Sequence, residues 1–518
     1  MKKLLWIDDE IELLKPYCIF LKEKGYEVEC CCSGNDALQI LAANHYDIIF
    51  LDENMPGMSG LDTLEKITEL SPDIPIVMIT KNEEENLMEA AIGKRIADYL
   101  IKPVNPNQIL MTLKKHLHGR EIISNQTISS FREEFMKISS SISERLEPEK
   151  WFALYRRLTE WNMKLSENDT ELFPLIHSLT DEANSFFARF IQNNYIGWMK
   201  DPFNRPTTSI DLFRRKIAPM LKENDKILMI VIDNFRYDQW NLIRELIKED
   251  FEINEDRLYF SILPTSTQYA RNSLFSGLTP LEIQKKHPEY WVEEGDEETK
   301  NQYEKELLEL QLKRLRMDVR VFYSKFGNST SCEQALTEMS KSQAQLSVAV
   351  TNFVDMLSHA RTDDKVIREL AKNDAAYRTL TKDWFRHSGL VRMMTEMSAK
   401  GYKIIITTDH GTTEVSKALK VIGDKNTSVS LRYKVGKSLN FDRKDSKEIF
   451  EITKPSEIGL PMPNLSSTYI FATNRNFFAY PNNYNYYVSY YKNTFQHGGI
   501  SMEEMIIPFV CLESRNKK

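Results

Sequence analysis

The sequence is short of the features that mark secreted, membrane-embedded and dinucleotide-binding proteins. Among 518 residues only six are cysteine: Cys18, Cys30, Cys31, Cys32, Cys332 and Cys511. None is spaced as a CxxC pair and three are consecutive, which argues against a disulfide framework and against a cysteine zinc site. Reduced core thiols in a cytoplasmic protein are expected. No apolar run reaches the length of a bilayer span, so membrane insertion is not expected. "MKKLLWIDDE" opens on two lysines, but only Leu4 to Ile7 are apolar before three acids arrive, too few for a signal-peptide core. Positive charge is not in excess. A formal net charge of -7 gives no general attraction to nucleic acid or anionic membrane, so any nucleic-acid binding must rest on a local patch. No Gly-rich phosphate loop follows the first strand candidate, which weakens a dinucleotide-binding reading.

What is present is an ordinary globular composition, 42% hydrophobic and 28% charged, in a chain long enough for two to four domains. Three segments differ in pattern. Residues 1–118 alternate short apolar runs with amphipathic stretches, which predicts five strands and five helices in a doubly wound parallel sheet. Residues 119–220 form long amphipathic stretches with polar breaks, which predicts a small helical bundle or coiled linker serving as spacer and dimerisation element. No helix-turn-helix with a basic recognition helix stands out there. Residues 221–518 return to α/β alternation, with "KILMIVID", "KIIITTDHG" and "MIIPFVCLE" as strand candidates. A Tyr-, Asn- and Lys-rich excursion near 412–496 interrupts them, as lids and binding loops do.

The first segment places Asp8 and Asp9 after strand one, Asp52 at the end of strand three, Thr80 at the end of strand four and Lys102 after strand five. In a parallel sheet these ends share one edge. Three carboxylates at one place repel unless a cation sits among them, and carboxylate oxygens suit Mg²⁺. An aspartate can also attack phosphorus and form an acyl phosphate. With Lys102 and Thr80 beside the acids, a phosphoryl group would find an ammonium and a hydroxyl.

"DDE" at 8–10, "DENMPG" at 52–57, Thr80 and "YLIKP" at 99–103 resemble, in order and spacing, the receiver domain of bacterial response regulators. The resemblance implies that Asp52 accepts a phosphoryl group from a cognate histidine kinase. It also implies that Asp8 and Asp9, with Asp52, hold Mg²⁺, and that Tyr99 is a switch residue turning inward with Thr80. Receivers of this kind commonly pair through their fourth and fifth strands, so phosphorylation is expected to give a homodimer.

The last segment gathers a second set. Asp233 ends a strand run. Asp355 and His359 are four apart, on one face of a helix or one turn after a strand. Asp409 and His410 stand where "IIITT" runs out, with Gly411 expected to permit a turn that brings them together. His497 precedes two glycines. Imidazole and carboxylate together suit Zn²⁺, and six ligands suffice for two ions with open positions. Thr265, Ser266 and Thr267 open a helix that closes on Gly277. A hydroxyl there is either an N-cap or a group presented beside a phosphate-favouring helix start.

Taken together the set resembles the alkaline phosphatase superfamily, closer to its nucleotide pyrophosphatase/phosphodiesterases than to its serine enzymes, and "HGGISMEEMIIP" resembles the PglZ branch. The resemblance implies Thr267 as nucleophile. It implies one zinc on Asp355, His359 and His497, and another on Asp233, Asp409, His410 and the Thr267 oxygen. Receiver, helical linker and PglZ-type domain in this order resemble the PorX response regulators of Bacteroidetes, which that family links to type IX secretion. Hydrolysis of nucleotides or oligonucleotides, and contact with a sigma factor or secretion component, are what this resemblance implies. Two alternatives stay open: a phosphomonoesterase, with Arg236, Arg271 and Lys325 as cations for the extra charge, and a phosphorylation-switched scaffold without enzyme activity. Aromatics Phe477, Phe478, Tyr480, Tyr484, Tyr486, Tyr487, Tyr490 and Tyr491 are either base-stacking faces or ordinary packing of half-buried strands.

Overall fold

Short aliphatic runs, buried on both faces, become the strands of two main sheets, one in each of two compact units, residues 1–133 and 134–518. A computed structural model describes residues 2–515 apart from 73, 82–95, 118, 143–144, 168–171, 224, 294–299, 372, 425–426 and 465.

In the first unit the strands are β1 (Lys2–Ile7), β2 (Tyr26–Cys31), β3 (Ile48–Asp52), β4 (Ile76–Thr80) and β5 (Asp98–Ile101). They lie in the order β2-β1-β3-β4-β5, and every pairing is parallel. β3 reads IIFLD and is buried throughout, as a central strand covered on both faces must be. Alternate side chains divide into two cores. Leu5, Ile49 and Leu51 pack with Leu64 and Ile67 on one face. Trp6, Phe50 and Val77 pack with Ile109 and Leu113 on the other. Helices Ile11–Glu23, Gly34–Ala43, Gly60–Leu70 and Pro106–Leu117 supply the covering layers. The remaining helix expected between β4 and β5 falls on residues outside the described set. All six cysteines are free thiols, but only Cys31, Cys332 and Cys511 are core residues; Cys32 is exposed. The expectation of core thiols therefore holds for half of them. Consecutive residues on a strand alternate faces, so Cys30, Cys31 and Cys32 cannot share one environment. Burial pushes the Cys30 and Cys31 thiols up to about 12, which keeps them protonated.

The second unit begins with long helices. Pro148–Glu167 and Phe173–Lys200 bury stripes at helical spacing, Trp151, Leu154, Tyr155 and Leu158 on one and Ile176, Leu179, Ala183, Phe187 and Ile191 on the other. Both helices meet β7 (Phe251–Phe260): the Phe260 ring lies 4.8 Å from Phe152 and 5.1 Å from Trp198. The sheet also holds β6 (Lys226–Ile232), β8 (Val321–Phe326), β9 (Leu346–Thr351), β10 (Tyr402–Thr407) and the C-terminal strand Ile506–Ser514. Its order is β7, the C-terminal strand, β10, β6, β9, β8. The run from β10 to β8 is parallel, and the C-terminal strand is antiparallel to both of its neighbours. β6, β9 and β10 therefore end along one edge. β7, β8 and β9 were not among the strand candidates. β7 carries acids on a half-exposed edge and β8 is the other edge, so neither shows an unbroken apolar run.

The excursion after β10 is folded, not loose. Asn440–Phe441, Lys417–Ile422 and Asn476–Ala479 make one three-stranded sheet; Tyr433–Lys437, Ser467–Ala472 and Ile449–Ile452 make another. Phe477 and Phe478 are strand residues in the core. Tyr484–Tyr491 is a helix, which corrects the expectation of strands there. Tyrosines at this density favour strands locally, but Tyr486 and Tyr490, and Tyr487 and Tyr491, stack at helical four-residue spacing. Among the described residues no helix is long and apolar enough to cross a membrane.

Candidate functional site

The parallel strands bring their acids together. Asp233 follows β6, Asp409 and His410 follow β10 by one residue, and helix Phe353–Asp363 starts just after β9. That helix places Asp355 and His359 one turn apart, with His359 Nε2 3.5 Å from Asp355 Oδ2. His497 comes from the loop after Phe495–Gln496, its Nε2 3.7 Å from Asp355 Oδ1. Two clusters result, Asp355, His359 and His497 in one, Asp233, Asp409 and His410 in the other, each with its ligand atoms within 4.8 Å of one another. The clusters abut. The His410 and His497 rings stack with centroids 4.3 Å apart.

Hydrogen bonds fix how these groups face. His410 Nδ1 lies 3.1 Å from the Gly411 carbonyl oxygen, and His497 Nδ1 lies 3.1 Å from the Thr265 carbonyl oxygen. Each Nδ1–H therefore donates to backbone, which leaves the Nε2 lone pair aimed into its cluster, as metal-binding histidines require. Asp409 Oδ2 is buried with no hydrogen-bond partner. An orphaned carboxylate oxygen beside imidazole lone pairs is a donor set that fits a divalent cation. Burial holds the Asp233 carboxyl above its ordinary range, and Arg271 opposes that shift.

The three hydroxyls separate clearly. Thr265 Oγ1 donates to the Gly499 carbonyl at 3.0 Å and accepts from Gly498 N at 3.0 Å. Ser266 is the N-cap of helix Thr267–Ser276 but makes no side-chain cap bond. Thr267 Oγ1 lies 3.3 Å from Asp233 Oδ1 and 3.2 Å from His410 Nε2. Thr267 is thus the hydroxyl turned into a cluster, and it is not the cap.

Gly411 departs from expectation in its reason. Its backbone is not left-handed; a Cβ there would instead run into the Glu503 carbonyl oxygen. The turn that needs freedom is at Gly498, with φ 118°. Asn234 was missed. It sits at φ 62°, a region asparagine tolerates better than most residues, and its Nδ2 donates to Asp355 Oδ1 at 3.2 Å while its N–H approaches Asp409 Oδ1 at 3.5 Å. One strained asparagine so bridges both clusters. Its signal was only its place directly after an acid at a strand end.

In the first unit Asp8 and Asp52 are buried, and Lys102 Nζ lies 2.9 Å from Asp8 Oδ2 and 3.0 Å from Asp52 Oδ2. Asp9 joins them in a third carboxylate cluster. Asp52 Oδ1 is buried without a hydrogen-bond partner, and burial raises the Asp52 carboxyl. Thr80 Oγ1 donates to the Glu53 carboxylate. Tyr99 is partly exposed on β5.

Residues 212–512 match the family described as BREX system PglZ alkaline phosphatase-like domain. The chain belongs to this PglZ family. Ahead of the PglZ domain, residues 4–114 match the response regulator receiver domain and residues 121–199 the PorX response regulator linker domain. This order fits a PorX-type response regulator. Curated relatives match the receiver region. A CpxR homolog of Haemophilus influenzae is 34% identical over 25% of this chain and 59% of its own length. ZraR of Escherichia coli O157:H7 is 30% identical over 27% of this chain and 31% of its own. The chain therefore spans less than two thirds of each. Solved structures similar to the receiver include chemotaxis protein CheY4 of Vibrio cholerae, 31% identical with a TM-score of 0.22 over 23% of this chain and 99% of that one. TrrA of Thermotoga maritima, solved with Mg(2+)-BeF, is 29% identical with a TM-score of 0.21 over 23% of this chain and 100% of its own.

The close approach at Gly411 is testable. Gly411→Ala forces the DHG turn away from the Glu503 backbone and should lower unfolding stability by about 1–3 kcal/mol. Gly197→Ala, in a helix where nothing lies within 4 Å of a new methyl, should hold or raise stability. Denaturant melts of the two variants beside the parent check the contrast.

Proposed function

We propose that this chain is a two-component response regulator whose PglZ domain is a zinc-dependent phosphodiesterase acting on nucleotides or oligonucleotides. One observation carries the reading: the Thr267 hydroxyl stands between Asp233 and His410, in a cluster directly against a second one. Asp355, His359 and His497 would hold one zinc, and Asp233, Asp409 and His410 the other. Bound there, zinc supplies Lewis acidity that lowers a hydroxyl pKa and stabilises charge on a phosphoryl oxygen. The chain's own part is the nucleophile and its aim. The Thr267 hydroxyl gives up its proton to solvent water and its oxygen attacks phosphorus. The P–O bond to the leaving group breaks as that oxygen takes a proton back from solvent and departs as the alcohol. Water then cleaves the phosphothreonine ester and restores the hydroxyl.

Diester over monoester rests on where the cations are. Arg236 is bound bidentately by Asp238 and also reaches Asp374. Arg271 is committed to Asp233 and Glu304, and Lys325 faces Glu304 at 3.7 Å. Each of these three cations already faces an acid of this chain, so none of them is reserved for the extra charge of a monoester.

Upstream, Asp52 would take a phosphoryl group from a histidine kinase, with Mg²⁺ held by Asp8, Asp9 and Asp52 and the phosphoryl oxygens met by Lys102 and Thr80. Thr80 and Tyr99 turning inward would then pair two receivers through the β4–β5 face. The match to the PorX linker supports a role in type IX secretion, in the cytoplasm, with a sigma factor or secretion component as partner.

Three outcomes test this reading. The wild-type chain should bind two zinc ions, one per cluster, and His359→Ala should lose zinc and activity together in metal analysis and diester turnover; no zinc uptake by the wild type sinks the enzyme reading. Thr267→Val should keep zinc yet lose hydrolysis by orders of magnitude, whereas Thr267→Ser retains part of it. Beryllofluoride with Mg²⁺ should convert the wild type to a dimer in analytical ultracentrifugation and leave Asp52→Ala monomeric with its zinc intact; an unchanged mass at micromolar concentration refutes the coupling alone.

A further inference from the structure

Helix Phe173–Lys200 buries two polar residues on an otherwise apolar face, Asn184 and Tyr195, each 1% exposed. A buried amide is costly in a helix unless its donors and acceptor are all engaged. Asn184 engages a distant segment. Its Oδ1 accepts from Met502 N at 2.8 Å, and its Nδ2 donates to the two Glu503 carboxylate oxygens at 3.3 and 3.1 Å. Further along the same helix, the Tyr195 hydroxyl accepts from Leu263 N at 2.8 Å.

These anchor points lie on the two segments that build the candidate site. One runs from Leu263 to Thr267, the other from His497 to Glu503. The segments are also tied to each other. His497 Nδ1 donates to the Thr265 carbonyl, and the Thr265 hydroxyl bonds Gly498 N and the Gly499 carbonyl. The result is a closed frame: helix to Leu263, along to Thr265, across to His497 and Gly498, along to Met502, and back to the helix. A shift of the helix along its axis would pull on both segments together.

We infer that Asn184 and Tyr195 are positioning residues, through which the linker helix sets the register of Thr267 and the aim of His497. The inference rests on the reading that the clusters bind zinc and that Thr267 cleaves a phosphodiester. Tyr195 acts on the nucleophile segment and Asn184 on the ligand segment, so their substitutions have different signatures.

The test uses the full zinc-loaded chain, bis-p-nitrophenyl phosphate as substrate and a chromogenic chelator competing for zinc. Tyr195→Phe keeps the ring and removes the acceptor; it should lower kcat about 10–100-fold with KM and zinc affinity held. Asn184→Leu keeps the size and removes all three hydrogen bonds; it should weaken zinc binding about 10–100-fold in the competition, a readout independent of turnover. Glu182→Gly weakens the same helix at an exposed position outside the span between the two anchors and should move neither quantity. The inference is overturned if both variants match the wild type, or if Glu182→Gly shifts kcat and zinc affinity as far as they do. A wild type that neither binds zinc nor cleaves the diester fails the underlying reading instead.

Discussion

Two carboxylates that the protein cannot neutralise by itself govern the second unit. Asp233 and Asp409 are enclosed at neighbouring strand ends, and buried Glu304 stands behind them. Arg271 faces all three, 3.1 Å from Asp233, 2.8 Å from Glu304 and 3.7 Å from Asp409. Three buried negative charges against one guanidinium leave a deficit, and a buried unpaired charge costs several kcal/mol. Lys325 stands 3.7 Å from Glu304 alone, so even a second cation leaves one carboxylate of the three unbalanced. A divalent cation would supply the charge that is short, and the donor set fits one. The histidines spend their Nδ1 hydrogens on backbone carbonyls, and Asn234 adopts a strained backbone to reach both clusters.

The same deficit recurs in smaller form in the first unit. Asp8 and Asp52 are buried around Lys102, with Asp9 alongside. One ammonium between two buried carboxylates balances half their charge. Asp52 keeps one buried oxygen without a hydrogen-bond partner, as the proposed phosphoryl acceptor would need. In both units the acids sit at the carboxyl ends of parallel strands, where backbone can turn and loops can converge.

Much of this was legible in the sequence because chemistry placed at strand ends is local. Asp52, Thr80 and Lys102 each follow an aliphatic run, so a strand assignment alone put them at one edge of the sheet, where Asp52 meets Lys102 while the Thr80 hydroxyl turns to Glu53. Asp355 and His359 were readable as one helical face. What escaped was long-range. Asn234 gains its meaning only from Asp355, 121 residues away. The reason for Gly411 lies in the Glu503 carbonyl, which no local turn propensity encodes. β7 was hidden by its charged edge, and the Tyr484–Tyr491 helix by residues that favour strands. Choosing among Thr265, Ser266 and Thr267 from the residues alone was equally out of reach, since all three have the composition of a cap.

The excursion after β10 shows how far the site depends on distant chain. Arg432, fully buried next to one of its strands, pairs with fully buried Glu504, Nη2 to Oε2 at 2.6 Å and Nε to Oε1 at 3.1 Å. Glu504 Oε1 also accepts from Gly499 N at 2.9 Å, and Arg432 Nη1 donates to the Asn476 carbonyl. The His497–Gly498–Gly499 turn is therefore held from one side by Thr265 and from the other by a guanidinium of the inserted sheets. Removing one partner of a buried pair strands the other charge and costs about 3–5 kcal/mol, far more than the pair contributes against an apolar replacement. A lid that opens would break such a pair at every cycle. The inserted sheets are better described as a fixed wall, whose ion pair holds the loop carrying His497 in place.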